Sequence, residues 1–259
     1  MQSNSLSAVN KSLKADSSLK SSDVIGNWQS WTITDIGKRR ERNEDAVLNK
    51  PDAGLWAIAD GMGGHQDGDV ASQLIVDSLD RIHSDTDLQM SIEKVAGCLE
   101  MVNTQLREFA RLRQNNDIIG STVVVLIAQQ RHCAVLWAGD SRLYRLRNQH
   151  LQQLTQDHCP DHDYLIDYEW SVKVSNELTR AVGADEALEL DCEIFEVCEG
   201  DMFLLCSDGL DKELMPHEIE QVLLSYEPEK IVEALLTLSL QRGAQDNISI
   251  VLVIAVKAG

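Results

Sequence analysis

Along this chain, short apolar runs that stop abruptly alternate with a few longer stretches of helical spacing. Residues 28–34, Trp-Gln-Ser-Trp-Thr-Ile-Thr, alternate as a half-buried strand does. Residues 46–48 and 55–59 predict two strands joined around Pro51-Asp52-Ala53-Gly54. Residues 121–128 and 133–138 are uncharged and predict two buried strands, followed by a turn at 139–142 and a strand at 143–146. Further strands are expected at 188–197, 202–206 and 248–256. Apolar positions Ala71, Leu74, Ile75, Leu79 and Ile82 recur at helical spacing, with Asp67 and Asp69 expected to cap that helix. A longer helix carries Ile92, Val95, Leu99, Val102, Leu106 and Phe109 on one face. Two more, over 216–224 and 228–241, each begin with a proline, which suits a first helical turn. Strands in hairpin order with two helical pairs inserted predict an α+β sandwich with antiparallel sheets rather than a parallel α/β sheet.

Residues 1–25 are serine-rich, with Lys11, Lys14 and Lys20 and little to bury, and are expected to form a flexible polar tail ahead of a single domain at 26–259. The 259 residues carry 42 acidic and 23 basic side chains, a net charge of −19. That balance argues against nucleic-acid binding, which needs a basic face. It also means that an anionic substrate must be drawn in locally, against the field of the whole molecule. No apolar stretch matches a membrane span and no signal peptide is evident, so a soluble, cytoplasmic protein without membrane insertion is expected, and a monomer is expected as well. The six cysteines form no C-x-x-C pair and are expected to be buried free thiols.

The chemistry concentrates where apolar runs end. Leu55-Trp56-Ala57-Ile58-Ala59 runs into Asp60-Gly61-Met62-Gly63-Gly64-His65, and Asp60 is expected where the strand leaves the core. Met202 to Cys206 ends in Ser207-Asp208-Gly209, and the last strand is preceded by Asp246-Asn247. Glu44-Asp45 adds a fourth acidic point. Each alone is explained by turn chemistry. Converging from strand ends, they would repel one another unless cations were bound, and all-oxygen ligands select Mg²⁺ or Mn²⁺. Arg40, four residues before Glu44, offers a planar donor for phosphate oxygens.

These landmarks, taken together, resemble the metal-dependent type 2C serine/threonine protein phosphatases in their compact bacterial form. The resemblance runs from about Trp31 to Val256 through Asp35-x-Gly37-x-x-Arg40-x-x-Asn43-Glu44-Asp45, Asp60-Gly61-Met62-Gly63-Gly64-His65 and Gly120-Ser121-Thr122. It continues through Ala138-Gly139-Asp140-Ser141-Arg142, Leu154-Thr155-Gln156-Asp157-His158, Leu178-Thr179-Arg180-Ala181, Ser207-Asp208-Gly209 and Asp246-Asn247. It implies a four-layer α/β/β/α sandwich with two central antiparallel sheets. It implies two tightly bound Mn²⁺ or Mg²⁺ ions bridged by Asp60, with the Gly61 carbonyl on one of them. Asp208 and Asp246 would hold the first ion and Glu44 the second, with Asp45 behind the ligands. Asp117 would share a third, weaker ion with Asp208, and Arg40 would bind substrate phosphate.

The chain departs from some eukaryotic members, which carry a histidine general acid where Met62 stands, and leaves the group that protonates the leaving oxygen unassigned. His65 is expected to pack at a helix start, and His158 and His162 to lie at the surface. The segment between His158 and Leu178 is shorter than the family's flap. The substrates implied are phosphorylated Ser/Thr proteins, including a cognate kinase or its substrate. The run Gly64-His65-Gln66-Asp67-Gly68-Asp69-Val70-Ala71-Ser72 is similar to phosphatases paired with a kinase that controls bacterial type VI secretion.

Other chemistries lack their motifs. No cysteine is followed six positions later by an arginine, as a cysteinyl-phosphate mechanism requires. Asp85-Thr86-Asp87 has aspartyl-nucleophile spacing but follows a polar helix end. A catalytically silent phosphoprotein-binding domain on the same fold would have lost metal ligands, and those that can be placed are all present.

Overall fold

A computed structural model describes residues 25–63, 67–83, 87–113, 118–159 and 179–257. Two antiparallel sheets stack face to face. The first has the order β1 (Ile25–Asp35), β11 (Ile248–Lys257), β10 (Met202–Cys206), β7 (Arg142–Arg147) and β8 (His150–Gln153). The second has the order β2 (Asp45–Lys50), β3 (Leu55–Gly63), β5 (Val123–Gln129), β6 (His132–Ala138) and β9 (Asp191–Glu196), with β4 (Ile119–Ser121) paired to β3. Helices α1 (Gly68–Asp80) and α2 (Leu88–Leu112) cover the second sheet. Helices α4 (Pro216–Ser225) and α5 (Pro228–Arg242) cover the first, and the short α3 (Asp208–Asp211) follows β10. The four layers expected from the sequence are these.

The uncharged runs follow from that layering, because the central strands are buried on both faces. Along β3, Trp56 and Ile58 point between the sheets while Leu55, Ala57 and Ala59 meet the helices. In β11, Val251 and Val253 fill the space between the sheets and Ile250 and Leu252 pack under α4 and α5. Trp28 closes the intersheet core edge-on to Trp56, with ring centroids 5.6 Å apart.

Several expectations need correction. Strand β3 does not stop at Asp60 but runs on to Gly63. It changes neighbours there: Leu55–Ile58 pair with β5, whereas Gly61–Gly63 pair with β4. Asp67 caps no backbone N–H with its side chain. It is buried against the Arg113 guanidinium at 2.6 Å, because a neutralising partner outweighs a cap for a desolvated charge. Asp87, part of the discarded aspartyl pair, caps α2 by accepting from the Gln89 N–H at 2.7 Å. Cys98, Cys133 and Cys206 are buried as expected, but Cys159 and Cys198 are exposed.

His158 is not at the surface. Its ring stacks on Trp137, accepts from the Gly139 N–H at 3.1 Å and approaches Asp191 at 3.3 Å. An apolar platform with two polar partners makes burial favourable for an imidazole. The expectations for the tail up to residue 24, for His65, Asp117 and His162, and for the flap at 160–178 fall outside the described residues. Among the described residues, no helix is long and apolar enough to cross a membrane.

Candidate active site

The acidic positions meet at one end of the sandwich. The pairing of β2 with β3 sets Asp45 directly opposite Asp60, and adjacent partners on one sheet are close neighbours. Asp60 is held by its backbone: its carbonyl accepts from the Thr122 N–H and the Ser121 hydroxyl, both at 2.9 Å. Asp208 enters from the other sheet as the first residue of α3, and Asp246 stands two residues before β11.

The loop carrying Arg40 and Glu44 is fixed by Asn247. Its side-chain oxygen accepts from the Glu44 N–H at 2.8 Å, and its amide donates to the Ile36 and Arg42 carbonyls, each at 2.9 Å. At Gly37, φ is +75°, and a Cβ there would lie 2.2 Å from the Asp246 carbonyl oxygen. Only glycine allows both the left-handed turn and that approach. Arg40 thus lies over Asp246 and grips it with two hydrogen bonds, Nε to Oδ1 at 2.8 Å and a terminal nitrogen to Oδ2 at 2.9 Å.

The carboxylates are crowded and poorly compensated. Burial first, then Asp45, Asp208, Asp246 and Asp140, push the Asp60 carboxyl well above its ordinary range. Burial raises Asp45 to about 6, although hydrogen bonds from Ser249 and Ser207 pull the other way. Asp140 is pushed up to about 6 and Asp211 to about 7, in each case mainly by burial. Burial also raises Glu44, against the pull of Arg40. Asp246 is the exception, since Arg40 and Lys212 overcome the effect of burial and hold it below its ordinary value. The Asp45 Oδ1, Asp208 Oδ1 and Asp211 Oδ1 atoms are buried without a hydrogen-bond partner.

Among the described residues, no three Asp, Glu, His or Cys side chains are arranged to hold an ion as they stand. Two protein cations pair with the carboxylates: Arg40 with Asp246, and Lys212 with both Asp208 and Asp246. The donor set still fits a hard divalent ion, being made of carboxylate and carbonyl oxygens with unpartnered lone pairs. A Cβ on Gly68 would fall 2.7 Å from Glu44 Oε1 and 2.9 Å from the Gly61 carbonyl oxygen, so these two oxygens converge on a space that a side chain would fill.

The structure therefore brings together Arg40, Glu44, Asp45, Asp60, Gly61, Asp208 and Asp246. It adds Asp140 and Lys212, to which the sequence reading gave no role. Lys212 was detectable as the residue one helical turn after Asp208, and Asp140 as the acid of a glycine turn at a strand end. Behind them, Arg142 forks onto Asp157 at 2.6 and 3.0 Å and reaches Asp211 at 3.0 Å.

The protein phosphatase 2C family pattern matches residues 37–249. The serine/threonine phosphatase Stp of Listeria monocytogenes is 33% identical over 234 residues, which is 85% of this chain and 93% of that protein. Among solved structures, PppA, described as a key regulatory component of the type VI secretion system in Pseudomonas aeruginosa, is 42% identical. It superposes with a TM-score of 0.84 over 90% of this chain and all of that one. The catalytic domain of the serine/threonine phosphatase PstP in complex with two manganese ions is 28% identical, with a TM-score of 0.77 over 89% of this chain and 99% of that one.

Proposed function

The chain belongs to the protein phosphatase 2C family, and on that premise we propose that it removes phosphate from phosphoserine and phosphothreonine in proteins, using two Mn²⁺ or Mg²⁺ ions. The observation that carries this reading is the set of desolvated carboxylates, gathered from both sheets, whose buried oxygens lack partners. In this reading Asp60, crowded by Asp45, Asp208 and Asp246, would serve both ions, with Asp208 and Asp246 holding the first and Glu44 and the Gly61 carbonyl the second. The two-manganese complex of PstP supports that count. Bound ions of this kind supply an activated water and neutralise charge on the phosphoryl group.

The remaining work falls to the chain's own side chains. Arg40 is half exposed, so its guanidinium can present its outer donors to phosphate oxygens while Asp246 orients it. Asn247 prevents the Arg40–Glu44 loop from drifting when substrate pulls on it. Asp45 acts from behind, accepting from Ser207 at 2.8 Å. With the protein at −19, Arg40 and Lys212 are the local attraction for a phosphorylated segment. A third, loosely held ion shared by Asp117 and Asp208 is part of the proposal, with Asp117 outside the described residues. Similarity to PppA, described as a regulatory component of type VI secretion, supports a regulatory role of that kind, and a cognate kinase or its substrate as partner and action in the cytoplasm are part of the proposal.

The test is hydrolysis of a phosphothreonine peptide. Activity should vanish in chelator and return with Mn²⁺, and full activity in excess chelator would refute the reading.

A further inference from the structure

Lys212 sits one turn beyond Asp208 on α3, and its ammonium reaches two carboxylates at once. It pairs with Asp208 Oδ2 and lies 3.2 Å from Asp246 Oδ2. These are the two residues assigned above to the first ion. A monovalent ammonium satisfies them incompletely, since Asp208 Oδ1 remains buried with no partner. Lys212 leaves Asp60 and Asp45 without a cation of their own. Its stem is flexible and its side chain 42% exposed, so the ammonium has a route to water. Arg40 differs, because it grips Asp246 alone and is positioned by the pinned loop.

We propose that Lys212 is a tethered competitor for the ion held by Asp208 and Asp246. It draws the two carboxylates together when the ion is absent and must leave them for the ion to enter, so it sets the affinity of that position. A divalent ion repays the lost ion pairs by using the oxygen that Lys212 cannot reach. The consequence is a phosphatase that loads only when the divalent ion is plentiful. This proposal rests on the metal reading above, and the experiment separates the two.

Mn²⁺ binding to wild type, Lys212→Gln and Lys212→Arg is measured by calorimetry, together with melting in chelator. Lys212→Gln should bind Mn²⁺ about tenfold more tightly, the worth of a charge-assisted contact. Its melting temperature in chelator should fall, because the carboxylates lose their bridge. Lys212→Arg, which keeps the charge, should stay near wild type in both. Unchanged or weaker Mn²⁺ binding by Lys212→Gln would overturn the proposal. So would tighter binding with no fall in the chelator melt, which a distant field effect would give. Absence of Mn²⁺ binding in wild type and Lys212→Gln alike would overturn the metal reading itself.

Discussion

Two buried acidic places in this molecule are built in opposite ways. Asp201, 1% exposed, is fully partnered: Arg147 forks onto both its oxygens at 2.7 and 2.6 Å, and the Cys198 N–H donates to it at 2.8 Å. At the other place, Asp45, Asp60, Asp140, Asp208 and Asp211 share too few cations and leave buried oxygens unpartnered. Where a buried acid serves only the fold, the chain supplies its counter-charge. Where the strands converge it withholds that charge, and the difference marks the place that ions complete.

Substitution should separate the two places. Asp60→Asn or Asp208→Asn should lower phosphopeptide turnover by about a thousandfold or more, since an amide binds a hard cation poorly. The metal-free protein should remain folded, because relieving like-charge crowding offsets the lost contacts. Steady-state kinetics and circular dichroism on the same samples check both halves. Asp201→Asn should do the reverse. Stranding Arg147 should cost about 3 kcal/mol of stability, read by urea unfolding, while the surviving folded protein keeps its kcat.

A smaller effect is expected at His158, which touches neither group of acids. His158→Ala removes the ring stacked on Trp137 and strands the Gly139 N–H beside Asp140, at a cost of roughly 2 kcal/mol in urea unfolding.

The pH dependence sharpens the comparison most finely. Asp45, Asp140 and Asp211 have folded-state values raised to about 6, about 6 and about 7. Between the ordinary carboxyl value and these values the folded state binds more protons than the unfolded one, so stability must fall as pH rises. Melts in chelator should therefore rise by roughly a few degrees as pH is lowered from about 7.5 to about 5.5, and saturating Mn²⁺ should remove that trend. A flat chelator profile would show the crowding to be compensated already.

Much of this was readable in the chain. Uncharged runs reported strands buried on both faces, and glycine-flanked acids at run ends reported the site, because both follow from local spacing. What stayed hidden depended on contacts distant in sequence. Asp67 looks like a cap until Arg113, 46 residues on, is folded against it. His158 looks like a surface residue until Trp137, Gly139 and Asp191 enclose it. Asp60 looks like a strand end because the switch of partner from β5 to β4 leaves no local trace. Lys212 carried a local signal, an acid four residues earlier, but its second contact, to Asp246, comes from another element.

The central claim is that ions complete the acidic end of the sandwich. Calorimetric titration of Mn²⁺ into the chelator-stripped wild-type protein at pH 7.5, with Asp60→Asn alongside, tests it most directly. The account predicts about two tightly held equivalents for wild type and loss of that binding in Asp60→Asn, since in the proposed site this one carboxylate would serve both ions. Wild-type protein that takes up no Mn²⁺, or an Asp60→Asn variant that binds as wild type does, would contradict it.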